Sequence, residues 1–217
     1  LNLDGITKLS NDRIYSELVK IIKLKNFYDL FKNKFLLDIF KLIFPEFLHL
    51  ERIKKFEKLY IKNNIKIDKE LILATTLIDS SNNHEYFFHK YNVSNETRNS
   101  LTFYAKLLKQ VKSSNHFFQK ELKKNIFLFG VEEIKKIFIL YNLTNKKTLN
   151  DNFNEILSKI ENTQVPKFPL TGNDLLKKGV KSGWRVGKVL REIEKKWIEN
   201  NFQINEDEIK SLVKKNV

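Results

Sequence analysis

Between Lys177 and Arg191 the chain carries six basic side chains (Lys177, Lys178, Lys181, Arg185, Lys188 and Arg191) and no acidic one. Three glycines, Gly179, Gly183 and Gly187, are interleaved with them. Cations around a glycine loop suit the binding of phosphate. Loop amides and the N-terminus of a following helix donate hydrogen bonds, and the helix dipole adds positive potential. Such contacts read backbone charge and shape rather than base identity. Neutralising several phosphates also makes binding steeply salt-dependent. Trp184 beside the loop has two readings: a ring that stacks on a base or ribose, or a buried indole that seals the hairpin. The plain alternative for the whole segment is a helical hairpin packed by its glycines and surrounded by solvated lysines.

Catalytic chemistry finds less support. Metal-dependent phosphoryl or nucleotidyl transfer needs clustered carboxylates to hold Mg²⁺ against phosphates, and the chain has no Asp-x-Asp pair. The run Glu206-Asp207-Glu208 precedes Ile209, where it complements a helix N-terminus. Of the four histidines, His84 and His89 are five apart, the wrong step for one helix face. Together with His49 and His116 they read as surface or interfacial side chains. No adjacent His-Asp pair, Gly-x-Ser-x-Gly elbow or Walker-type loop is present. The residues propose no catalytic group and no metal ligand in this chain.

Composition sets the limits. The 217 residues carry a net charge of +14, 41% hydrophobic and 12% aromatic side chains, and no cysteine. That is a globular composition without disulfides or thiol chemistry, and a cytoplasmic location is expected. Apolar runs such as Phe35–Phe44 are broken by Asp38 and Lys41, so no membrane span is expected. The first ten residues have neither the basic start nor the apolar centre of a signal peptide. Methionine is absent, even at position 1, which leads us to expect a fragment or a processed product. A basic chain points to a polyanionic partner. However, 35 of the 40 cations are lysine, and Lys, Asn, Ile and Phe are all products of A- and T-rich codons. Only local clustering of charge therefore counts as evidence.

The elements that must position these residues read as helices. Six glycines and three prolines leave few breakers, and apolar residues recur at three- and four-residue steps. Ser10 can cap a helix bearing Ile14, Leu18, Ile21 and Ile22. An apolar stretch from Phe27 ends after Phe44 at Pro45, and His49–Asn63 repeats Leu50, Ile53, Phe56 and Leu59. Further helices are expected over about 68–79, 84–90, 94–112, 116–128, 131–142 and 148–162, with caps at Ser94 and Asn115. The fold class is all-α, an array of short packed helices.

Pro166 and Pro169 then mark a boundary. Beyond it Thr171 and Asp174 resemble a capping box, and Gly179 suits a positive φ. Gly183 opens a longer helix with Val186, Leu190, Ile193 and Trp197 on its apolar face. Gly183 and Gly187, four apart, would let another backbone approach. The expected organisation is 1–25, then a helical body over 26–165, then a tail over 166–217 with a helix–glycine loop–helix hairpin.

Two ends of the chain resemble one family. Leu170-Thr171-Gly172-x-Asp174-Leu175-Leu176-x-x-Gly179-Val180-Lys181-x-Gly183-x-x-Val186-Gly187-x-Val189-Leu190, followed by Glu192-Ile193-Glu194 and Trp197-Ile198, resembles the C-terminal region of bacterial CCA-adding enzymes. These belong to the tRNA nucleotidyltransferase/poly(A) polymerase family. Ser182 and Trp184 stand where that family usually and often, respectively, has proline. Leu9-Ser10-x-Asp12-Arg13-Ile14-x-x-Glu17-Leu18 resembles the family's neck segment, with Asp12 in place of Glu. Ser10, Arg13 and Glu17 carry that match, Ser10 as cap and Arg13 with Glu17 as an i, i+4 pair. A third similarity is Tyr91-Asn92-Val93-Ser94-Asn95-Glu96-Thr97-Arg98, a body-domain helix start.

The resemblance implies the neck, body and tail of a CCA-adding enzyme, gripping the acceptor stem and elbow of tRNA. The catalytic head, with its Gly-Ser loop, Asp-x-Asp metal site and nucleotide-selecting helix, has no counterpart here. Mg²⁺ and CTP or ATP are expected only for that head, on this polypeptide or another. The implied partner is tRNA, contacted through Lys177, Lys178, Lys181, Gly183, Arg185, Lys188 and Arg191. Two other readings of the chain remain: a helical scaffold for a protein partner, and a hairpin module for the DNA backbone.

Overall fold

The computed structural model describes residues 5, 8–24, 27–63, 68–114, 116–145 and 152–215. Among them are twelve α-helices, one short 3-10 turn and no strand, so the chain is all-α. Asn115, expected as a cap, and residues 148–151 of the helix expected over 148–162 lie outside the described residues. The chain forms two compact units. One comprises Leu1–Lys120 with Gly130–Asn162, the other Glu121–Phe129 with Thr163–Val217.

The first unit holds α1 (Asn11–Ile22), the 3-10 turn (Phe27–Phe31), α2 (Lys34–Ile43), α3 (Glu51–Asn63), α4 (Lys69–Leu77), α5 (Asn83–Tyr91) and α6 (Asn95–Ser113). α8 (Val131–Thr144) and α9 (Phe153–Asn162) complete it, while α7 (Leu122–Phe129) belongs to the second unit. Its hub is α4, buried from Leu71 to Leu77 and packed by α1, α3, α5, α6 and α8. Thr75 and Thr76 survive at this depth because each hydroxyl donates to a carbonyl of the preceding turn. A chain of ring contacts runs from Phe31 through Phe40 and Phe47 to Phe87 and Tyr91, with centroids 4.8–5.7 Å apart.

Two of the five arginines are internal parts of this unit. The Arg52 guanidinium donates to the carbonyls of Thr75 (3.1 Å) and Ile78 (2.8 Å), closing the end of α4. Arg98 donates to Val93 (2.7 Å) and Phe88 (3.0 Å), closing the end of α5, where Asn92 turns left-handed at φ 47°. The match noted at Tyr91–Arg98 is therefore a helix end and a helix start held by one side chain.

The apolar stretch from Phe27 to Phe44 is two elements, because Asn33 accepts the Leu36 N–H and starts α2 afresh. The helix expected over 116–128 is also interrupted, by a turn through 116–121. Phe118 meets Phe138 within the first unit, whereas Leu122 and Ile126 are buried on α7 in the second. The chain changes unit here, which one continuous helix would not allow.

In the second unit α7 joins α10 (Gly172–Lys177), α11 (Trp184–Glu199) and α12 (Glu206–Lys214). Leu175, Val180, Val189, Ile193, Ile209 and Val213 form its core. Trp197, 3% exposed, is surrounded by Phe127, Phe168 and Phe202 at 4.9–5.4 Å.

Candidate nucleic-acid interface

The six cations of the Lys177–Arg191 stretch sit on the hairpin that α10 and α11 form, and local chemistry explains its shape. Asp174 accepts from both the backbone N–H (2.8 Å) and the hydroxyl (2.6 Å) of Thr171, starting α10. The Thr171 hydroxyl and amide hold the Asp174 carboxyl below its ordinary range. At the other end Gly179 has φ +92°, its N–H donates to Leu176, and the Val180 N–H donates back to Leu175 (3.1 Å). Leu175 and Val180 meet in the core beneath. This is a Schellman ending, and a side chain at Gly179 would be strained by φ alone.

Gly183, φ +99°, opens α11. Among the described residues the N–H groups of Trp184 and Arg185 have no backbone acceptor, while the Val186 N–H turns back to Gly183. The glycine spacing plays a different part from the expected one. A Cβ at Gly183 or Gly187 would meet nothing within 4 Å, so both face open space. The close approach is at Gly172, where a Cβ would lie 3.3 Å from Val186 Cγ1. Trp184 does not seal the hairpin: it is 72% exposed.

The cations are not equivalent. Lys178 reaches Glu206 at 2.9 Å, and this bond lowers the Glu206 pKa. Lys188 lies 3.9 Å from Glu192. Lys177, Lys181 and Arg191 are exposed and make no ion pair among the described residues. The Arg185 guanidinium carbon lies 5.9 Å from the centre of the Trp184 ring. On α11 the exposed face is Trp184, Lys188, Arg191 and Lys195, at steps of four, three and four. Lys195 was not among the expected contacts, although its spacing from Arg191 places it there.

The remaining expected residues fall in the first unit. Ser10 caps α1, its Oγ accepting from the Arg13 N–H at 3.3 Å. Glu17 pairs with Lys20 at 2.8 Å and not with Arg13; the i, i+3 partner has displaced the i, i+4 one. His84, expected at a surface or interface, is buried, and burial lowers its pKa. His49 lies 3.4 Å from Glu51 and 3.6 Å from Asp79. A groove of about 370 Å³ beside α6 is lined by His84, Lys106, Lys109 and Lys112 among others. The three-residue step of those lysines was its only trace in the sequence. No group of three or more metal-ligating side chains occurs among the described residues. No described helix is long and apolar enough to cross a membrane.

The sequence of this all-α chain matches a known family. Residues 63–213, more than two-thirds of the chain, match the family described as tRNA nucleotidyltransferase domain 2, and the chain belongs to that family. Over 60 residues it is 32% identical to the mitochondrial CCA tRNA nucleotidyltransferase 1 of Homo sapiens and 33% identical to that of Danio rerio. The matched segment is 28% of this chain and 14% of the length of those relatives.

Proposed function

We propose that this chain acts in tRNA 3′-end processing as the part that holds tRNA, gripping its phosphate backbone through the α10–α11 hairpin. The observation that carries the reading is the row of exposed cations at a glycine-opened helix start, in a chain of the tRNA nucleotidyltransferase family. Lys177, Lys181, Arg185, Lys188 and Arg191 supply the positive field, and the amides at the start of α11 supply donors. Nucleotide addition itself, with Mg²⁺ and CTP or ATP, belongs in this proposal to a catalytic head on the same or a separate polypeptide.

A second reading, a scaffold for a protein partner, is favoured by Phe35 and Leu42. They stand seven apart on α2 and are 60% and 62% exposed.

The test is tRNA affinity of the purified chain at two salt concentrations, with duplex DNA as competitor. Tight binding that weakens steeply with salt and resists DNA is the expected result. Replacing Lys181, Arg185 and Lys188 together with Gln weakens binding and flattens the salt slope at unchanged helicity. Binding that DNA displaces equally overturns the choice of tRNA, and affinity unaffected by the triple replacement overturns the hairpin as its site.

A further inference from the structure

Trp184 is the most exposed of the large apolar side chains described here, at 72%, whereas the other tryptophan, Trp197, is 3% exposed. Its surroundings are open on the glycine side, since a Cβ at Gly183 or Gly187 would touch nothing. Cations neighbour it along the chain. Arg185 lies beside the ring, Lys188 follows one turn along the same exposed face, and Lys181 stands exposed three residues earlier. No acidic residue occurs between Lys177 and Arg191.

We propose that Trp184 is a stacking platform for an unpaired nucleobase of RNA, held there while the neighbouring cations take the adjoining phosphates. This rests on the reading of the hairpin as an RNA-holding element and goes further by fixing the kind of nucleotide it takes. An exposed indole offers a flat π-face that any base can match. An apolar protein surface closing over the ring would also have to desolvate Arg185 and Lys181, which make no ion pair among the described residues, without supplying their counter-charge. A nucleotide presents both requirements in one unit, a π-face for the ring and an anion for the lysines. In a duplex the base faces are covered by their neighbours, so the ligand is a base at a strand end, in a loop or in a single strand.

The two tryptophans make the test direct. Trp197 is enclosed by Phe127, Phe168 and Phe202 and serves as a buried reference, so a change in emission on binding reports Trp184. The full chain is titrated with a single-stranded RNA and with the same strand fully paired in a blunt duplex. The single strand is expected to quench the exposed emission, and the duplex to bind with little quenching. Trp184→Ala is expected to weaken single-strand binding by about 5- to 150-fold, the equivalent of about 1–3 kcal/mol for one stacked base. Duplex affinity should stay unchanged, and Trp184→Phe should retain most of the single-strand affinity. The exposed position makes both variants foldable, which Trp197 emission verifies.

Equal single-strand affinity in Trp184→Ala, with salt-dependent RNA binding intact, overturns the stacking platform alone. Equal quenching by duplex and single strand does the same. Failure of both RNAs to bind at low salt overturns the RNA-holding reading as well. Quenching by an acidic peptide but by neither RNA would reassign the ring to a protein partner and overturn the proposal.

Discussion

The Lys178 ammonium sits 2.9 Å from the Glu206 carboxylate, so the loop after α10 is tied to the first turn of α12. A cation so engaged is already partly neutralised, and under the tRNA-holding proposal it has less charge to offer a phosphate. Removing its partner is therefore informative. Glu206→Gln is expected to tighten tRNA binding two- to threefold and to steepen the dependence of affinity on salt by roughly 0.7–0.9 in the log–log slope, about one added phosphate contact. Lys178→Gln should cost less affinity than Lys181→Gln, whose ammonium has no partner to lose. Fluorescence anisotropy with labelled tRNA at several salt concentrations checks both.

Acidification should loosen the second unit. Asp174 is held below its ordinary pKa by the Thr171 hydroxyl and amide, Glu206 by Lys178, and Glu208 chiefly by the Asn205 N–H. A carboxyl whose pKa is depressed by folding contributes stability above its unfolded value, and that contribution is lost as pH falls through the folded value. Melting of the second unit, followed by the emission of its buried Trp197, is thus expected to be flat from neutrality down to about pH 5 and to fall below about pH 4. The first unit already loses stability as pH falls through about 6.5, because buried His84 takes up a proton on unfolding. An Asp174→Asn/Glu208→Gln double variant should start lower and show a shallower acid limb.

The Schellman ending of α10 makes a prediction about stability rather than binding. Gly179→Ala meets no neighbouring atom, but it places an L residue at φ +92°. A cost of about 1–2 kcal/mol is expected, read as an earlier denaturant midpoint with unchanged slope.

Arg98 gives the corresponding prediction for the first unit. Its guanidinium serves two carbonyls from two of its nitrogens, Nε to Val93 and Nη2 to Phe88. Arg98→Ala is expected to destabilise by about 1.5–3 kcal/mol, because charged donors leave two acceptors behind. Arg98→Lys should recover little, since one ammonium cannot reproduce the fork. Chemical denaturation of both variants measures the difference.

Much of this was legible from local chemistry. Ser10, Ser94, Thr171 and Gly179 act within a few residues of themselves, so their caps and turns followed from spacing. What escaped the sequence depends on distance along the chain. Lys178 finds Glu206 across 28 residues, and Arg52 reaches Ile78 across 26. Trp184 was undecidable between burial and exposure, because only the direction in which α11 presents its first turn separates the two. Lys195 was missed for a simpler reason. The run free of acidic residues ends at Arg191, whereas the helix face continues past it.

The connectivity of the second unit bears on how such a chain can change over generations. α7 is encoded well upstream of the rest of its unit, and the return segment Gly130–Asn162 belongs to the other body. Phe127 on α7 packs on Trp197 and Phe202 of the later segment. The hairpin region is therefore not a cassette that recombination can lift out at one crossover after Asn162. A transplanted segment 163–217 would arrive without the aromatic lid of its own core, and the chain it left would keep α7 with its apolar face bare. Variation in the loop between α10 and α11 is thus free to proceed residue by residue, while exchange of the whole element demands two matched breaks in the gene.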